Sequence, residues 1–271
     1  MTRLITGTLG RRPLKFLENR HLLTLFLAGA FLWSLAVVDW RGPLVHTGGG
    51  AAATDFLQGL FPPELSTDFL RLCLVASWQT VSYAVAGITV AIAIGLPLGV
   101  VASGTGFTQG SPWVAAVVRL FLAAIRSIHE LVWAVLFVTA FGLSPLAAIL
   151  AIALPYGGIL GRIYADLIND VPAPPLQALR ASGASPLRLL LYGRLPMALP
   201  DLLGYTFYRF ECAIRAAAIM SFVGIRGLGY EIQLSLNDLL FNQVWTLMLF
   251  MIALVMVVDM WSSRLRRSLV S

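Results

Sequence analysis

The chain has 271 residues, 58% of them hydrophobic and 12% charged, about half the charged share of an average soluble protein. A mean hydropathy of +0.83 excludes a soluble globular domain and points to an all-α polytopic membrane protein. The net charge of +6 rests almost wholly on arginine, Lys15 being the only lysine, and the arginines hug apolar segments, which argues against nucleic-acid binding.

Arg3, Arg11, Arg12, Lys15 and Arg20 precede the first apolar run, and Arg264, Arg266 and Arg267 follow the last. Residues 1–20 and 264–271 are therefore expected to be basic cytoplasmic flanks. Residues 21–40 read as the first transmembrane helix. No small-x-small cleavage site ends it, so it is expected to stay as an anchor. Residues 41–75 form an outer-face loop and interfacial element. Arg41 to Ala53, with Gly48, Gly49 and Gly50 in a row, is expected to be mobile, and Asp55 to Leu72 to lie on the outer surface.

The core membrane domain is 76–263. Trp78 to Ala102 is the second span, ending at a neutral inner loop, Ser103 to Ser111. Trp113 to Phe141 is longer than the roughly 30 Å hydrocarbon layer requires and contains a polar knot, Arg126-Ser127-Ile128-His129-Glu130. Either its first half lies along the inner interface or the helix bends at the knot. Leu146 to Ala165 returns inward, and Pro172, Pro174 and Pro175 are expected to stop any helix. Met197 to Phe222 is the fifth span and Val244 to Trp261 the last. Gly224, Gly227 and Gly229 make an outer glycine turn leading to a short helix, Tyr230 to Leu240. About six crossings put both termini inside. Cys73 and Cys212 fall in different helices and read as packed thiols.

Between the fourth and fifth spans lies Leu176 to Pro196, LQALRASGASPLRLLLYGRLP, a polar, arginine-bearing stretch. Leu176 to Ala181 has helical period, Ser182 to Ser185 interrupts it, and Pro186 sits where a second helix can begin. The stretch resembles the cytoplasmic signature of the inner-membrane permeases of binding-protein-dependent (type I) ABC importers: Glu-Ala-Ala, three residues, Gly, nine residues, Ile, one residue, Leu-Pro. Ala178, Gly183, Leu195 and Pro196 match at that spacing, while Gln177, Leu179 and Gly193 replace Glu, Ala and Ile. IRSIHELVWAVLFVTAFGLSPLA from Ile125 and YRFECAIRAAAIMSFVGIRGLGYEI from Tyr208 are similar to the phosphonate/phosphite branch, where Pro is usual at the position of His129.

The resemblance implies a MetI-like permease fold whose coupling helix docks into a cleft on a separate ATPase, a helix-in-groove contact. The residues it assigns to coupling are Gln177, Ala178, Arg180, Ala181, Ser182, Gly183, Ala184, Pro186 and Arg188. It also implies a second permease copy, two ATPase subunits that bind ATP and Mg, and an extracytoplasmic substrate-binding protein. The chain has no Walker-type sequence and is not expected to be an enzyme or to hold a cofactor or metal itself.

Ionisable residues inside a bilayer need a partner or a purpose. Tyr208, Glu211 and Arg215 share one helical face, and Glu211 and Arg215 stand in the favourable acidic-first i,i+4 order. Arg209 lies about 160° round the helix from Glu211 and must find another partner. Two readings stay open. Glu211–Arg215 and Arg126–Glu130 are neutralised structural pairs, or Arg126, His129, Glu130, Tyr208, Arg209, Glu211 and Arg215 line a pathway whose guanidiniums suit a phosphorus oxyanion. The implied cargo is phosphonate, phosphite or hypophosphite. The alternatives are another small substrate such as an amino acid or sulfonate and, remotely, an intramembrane enzyme using Glu130, His129 or Glu211.

Overall fold

The computed structural model describes residues 15–38, 40, 48–106 and 111–270. The chain separates into two compact units, Met1–Thr54 and Asp55–Ser271. The basic cluster Arg3, Arg11 and Arg12, the start of the 41–53 stretch and part of the inner loop lie outside the described residues.

In the first unit, α1 (Lys15–Val37) is an apolar helix whose described side chains from His21 onward are exposed. The glycine run expected to be mobile instead opens a helix, α2 (Gly49–Gln58). Ala51, Ala52 and Ala53 follow the glycines, and alanine is the strongest helix former.

The described residues of the second unit form helices joined by short turns, with no strand among them. The expected interfacial element does not run to Leu72. It ends at a turn, and α3 runs unbroken over Thr67–Ala102, 36 residues. Ser66 is the N-cap of this helix, and Asp68 lies in its first turn. The polar knot is a sharp bend: α4 (Pro112–Ser127) and α5 (Glu130–Phe141) meet at 84°. His129 supplies the N-cap of α5, its Nδ1 accepting from Leu131 N at 3.2 Å. Its φ of −64° is the value a proline ring would impose, so the backbone keeps the proline geometry without proline. The Trp133 indole donates to Ile125 O across the bend at 3.4 Å.

Then follow α6 (Pro145–Asn169), α7 (Ala173–Ala181) and α8 (Pro186–Leu189). A π turn, Leu190–Arg194, leads into α9 (Leu195–Met220). A 3₁₀ turn (Ser221–Val223), α10 (Leu228–Asn237) and α11 (Phe241–Val270) complete the chain. Among the described residues three helices, α3, α6 and α11, are long and apolar enough to cross a membrane, and the bent α4–α5 pair brings the number to four when it is counted as one broken span. The last helix does not stop at Trp261. Residues 264–270 continue it, so the basic tail is helical rather than a free flank.

The centre of the unit is α6, whose apolar stretch is 61% buried against 17% for α11. Lipid tails are as apolar as leucine, so membrane helices associate through close packing of small residues rather than through the hydrophobic effect. The α3–α6 seam is built that way. A Cβ on Gly95 would lie 3.0 Å from Gly157 O, and one on Gly99 would lie 2.8 Å from Gly161 O. Ala84, Ala91, Ala151 and Ile152 extend the same contact into a core completed by Ala213, Ile214, Ala217 and Met220 of α9.

The glycine turn is a clamp. Gly224 has φ +96°, and Leu228 N donates to the buried Thr80 hydroxyl of α3 at 3.0 Å. At Gly227 a Cβ would lie 2.6 Å from Ser221 Oγ, and at Gly229 it would fall on the Ala218 carbonyl oxygen. Replacing Gly229 by alanine should therefore cost about 3 kcal/mol or more through overpacking against backbone that cannot rotate away. Thermal unfolding of the purified protein checks this, with a markedly lower midpoint expected than for Gly204→Ala, where a Cβ meets nothing within 4 Å.

Candidate functional site

The coupling segment is held on one side and bare on the other. Pro174 and Pro175 do not stop a helix, as their number suggested; they sit in the first turn of α7, where a missing N–H costs nothing. The helix ends where Ser182 Oγ donates to Ala178 O at 2.8 Å and Gly183 N to Arg180 O at 2.9 Å. Gly183 takes φ +81°, a left-handed conformation that costs other residues about 1–2 kcal/mol. Ser185 caps α8 by accepting from Arg188 N.

Gln177, Ala178, Arg180, Ala181, Ser182, Gly183, Pro186 and Arg188 are all exposed, and Ala184 is half-buried. Leu176 alone of α7 is buried, and it faces Gly193. A Cβ at Gly193 would lie 2.9 Å from Leu176 Cδ2 and 3.1 Å from Leu179 Cδ1. Two of the three departures from the signature, Leu179 and Gly193, therefore fit one another: a larger side chain on α7 packs over a missing one in the π turn.

Arg194, which sequence reasoning passed over, fastens this segment to α6. Its Nη1 donates to Ile168 O at 2.9 Å and to Asn169 Oδ1 at 3.4 Å. Asn169 Nδ2 in turn donates to Ser103 O at the end of α3 at 3.1 Å, and Arg119 Nε of α4 donates to Ala102 O at 2.7 Å. Side chains thus satisfy the orphan carbonyls at the ends of α3 and α6, tying four elements together. The only sequence cue was that Arg194 follows a glycine at the start of an apolar helix.

The intramembrane charges pair differently from either expectation. Glu211 does not pair with Arg215. Its Oε1 lies 2.8 Å from Arg266 Nη1 of α11, and its side chain is only 10% exposed. The contact is ionic rather than a well-directed hydrogen bond, since no donor is aligned on that oxygen. The long reach of α11 makes this possible, because a tail leaving the membrane at Trp261 could not present Arg266 to α9.

Arg215 is exposed and touches Cys212 Sγ at 3.6 Å. It borders, with Glu211 and Asp259, a cavity of about 210 Å³ between α9 and α11. Arg209 finds neither an anion nor an acid. Its Nη2 and Nε donate to the Tyr205 hydroxyl at 2.7 and 2.9 Å, and its guanidinium lies 5.2 and 5.5 Å from the Tyr205 and Tyr208 ring centres, within cation–π range.

Arg126 and Glu130 are also unpaired with each other. The bend separates them, and Glu130 Oε2 lies 4.0 Å from His129 Nε2 instead. The expected pathway residues are carried by two elements. Tyr208, Arg209, Glu211 and Arg215 belong to α9, and Arg126, His129 and Glu130 to the α4–α5 bend.

Comparison with known proteins adds a family. Residues 95–270 match the family described as binding-protein-dependent transport system inner membrane component. A phosphite transport system permease protein, PtxC of Stutzerimonas stutzeri, is 35% identical over 225 residues, covering 79% of this chain and 80% of that protein. The putative phosphite permease HtxC of the same organism is 32% identical, covering 78% and 73%. The phosphate-import permease PhnE of Mycolicibacterium smegmatis is 32% identical, covering 79% and 39%. Among solved structures, the MetNI methionine ABC transporter in inward-facing form aligns with a TM-score of 0.67 at 22% identity, covering 76% of this chain and 99% of that one. That likeness establishes a MetI-like fold.

Removing one partner of a buried ion pair leaves an uncompensated charge, at a cost of about 3–5 kcal/mol. Arg266→Ala should therefore unfold at a clearly lower temperature than Glu211→Gln/Arg266→Gln, in which both charges are gone. Equal midpoints for the two variants would remove the structural role assigned to the pair.

Proposed function

From the premise that this chain belongs to the inner membrane components of binding-protein-dependent transport systems, we propose that it imports a small phosphorus oxyanion, phosphite or a phosphonate. As a member of that family it is a multi-pass permease subunit of the inner membrane, working with an ATPase and a substrate-binding protein. The observation carrying the cargo is the likeness to permeases named for phosphite, at 32–35% identity over more than three quarters of the chain. A second copy of the chain completes the permease, two ATPase subunits bind ATP and Mg, and both termini face the cytoplasm.

In this reading the exposed face of α7 and the Gly183 turn enter a groove on the ATPase. The residues from Gln177 to Arg188 make the contact. Gln177, neutral where the signature has an acid, contributes a hydrogen bond instead of a charge. Closure of the ATPases on ATP draws the paired coupling segments together. Because α7 packs on Gly193 and Arg194 holds α6, that movement reaches α6 and α9 directly. Two discrete packings of the dimer then alternate the side from which the pathway is open.

Cells without their own phosphite uptake, supplied with this chain and its ATPase and binding protein, should accumulate phosphite in an ATP-dependent way. Accumulation of an amino acid or a sulfonate in its place would overturn the cargo.

Gly183→Asp tests the coupling segment. A Cβ at Gly183 meets nothing within 4 Å, so the fold should survive with about 1–2 kcal/mol of backbone strain, while assembly with the ATPase or cargo-stimulated hydrolysis is lost. Unchanged transport and stimulation in that variant would remove the docking role.

A further inference from the structure

The Asn169–Ser103 and Arg194–Asn169 bonds place the coupling segment at the C-terminal end of α3. At the opposite end of that helix lies a cavity of about 360 Å³, far more than the roughly 10–15 Å³ needed for one water. Its charged and polar lining is Asp68, Arg71 and Gln79 from α3, Arg226 from the glycine turn and Glu231 from α10. None of these residues stood out in the sequence as a site.

A mixed lining of this kind could be a self-neutralised cluster, but the geometry is otherwise. Among the described residues, neither guanidinium comes within 4.0 Å of either carboxylate, although Asp68 and Arg71 are one helical turn apart. Both arginines are exposed to the cavity mouth, and Glu231 is half-buried. Burial raises the Glu231 carboxyl above its ordinary value, Arg226 offsetting part of the effect.

Arg226 is also held in place. The residue after it, Gly227, has no space for a side chain between Ser221 Oγ and Thr80 Oγ1, and Leu228 N is bonded to Thr80. The turn is clamped onto α3 one residue beyond Gln79. Its tightness fixes the backbone from which Arg226 joins Arg71 in lining the cavity.

We propose that this cavity is a receiving site for the transported oxyanion, which the guanidiniums of Arg71 and Arg226 grip before it enters the membrane. The inference deepens the proposed function and rests on it. Guanidinium presents paired N–H donors that match the oxygens of a tetrahedral anion, and Gln79 adds a neutral donor that leaves the total charge unaltered. The open mouth keeps the anion hydrated on one side, so attraction stays weak enough for release, as passage requires.

The test compares uptake of phosphite, methylphosphonate and the zwitterion glycine betaine by cells carrying the complete transporter. The variants are Arg71→Gln, Arg226→Gln, a double lysine variant and Val75→Trp, which narrows the cavity without touching a charge. Stimulation of ATP hydrolysis by the loaded binding protein is measured on the same complexes in lipid nanodiscs.

Each glutamine variant and Val75→Trp should lose about tenfold in oxyanion uptake at low concentration, the scale of one charge-assisted contact. Stimulation should be kept, and the double lysine variant should retain most of the uptake. Unchanged uptake in Val75→Trp and in whichever glutamine variants assemble overturns the site while leaving the cargo standing. Parallel loss of uptake and stimulation overturns it too, because the cavity is then a docking surface for the binding protein. A wild type that takes up betaine and no oxyanion overturns both cargo and site.

Discussion

The α3–α6 seam is the constraint on which the rest of this molecule depends. In a bilayer no water is released when two apolar helices meet, so their association rests on how closely the backbones approach. Gly95 and Gly99 bring α3 against Gly157 and Gly161 of α6 at distances that leave no room for a Cβ. Everything functional hangs from the two ends of that pair. One end carries the carbonyls that Arg194, Asn169 and Arg119 bind, and the other carries Thr80, which holds the glycine turn.

The charges inside the membrane follow a related economy. Glu211 is paired across helices with Arg266, whereas Arg209 is held within α9 by Tyr205 and Tyr208. Neither is the Glu211–Arg215 pair suggested by spacing on one helix. A partner on another helix stitches tertiary structure as well as cancelling charge, whereas an i,i+4 pair contributes only about 0.2–0.5 kcal/mol to its own helix.

Much of this was legible in the sequence. Hydropathy located the main apolar helices, the Ser182–Ser185 interruption located the turn at Gly183, and the polar knot marked the bend at His129. What failed had physical causes. Prolines 174 and 175 read as breakers because composition does not say that they fall in a first turn. The partner of Glu211, the Leu179–Gly193 fit and the Arg71–Arg226 cavity all depend on contacts between distant segments, which a one-dimensional pattern does not encode.

The π turn at Leu190–Arg194 sets the phase of the helix that follows it. A π turn holds one more residue than the α-helical turn it replaces, so shortening it by one residue would rotate α9 by about 100° relative to α7. Glu211 would then leave Arg266, and the Ala213–Ala217 face would leave the core. The azimuth of α9 is thus decided not along its own length but at its start, by a single surplus residue in the turn that joins it to the α7–α8 segment.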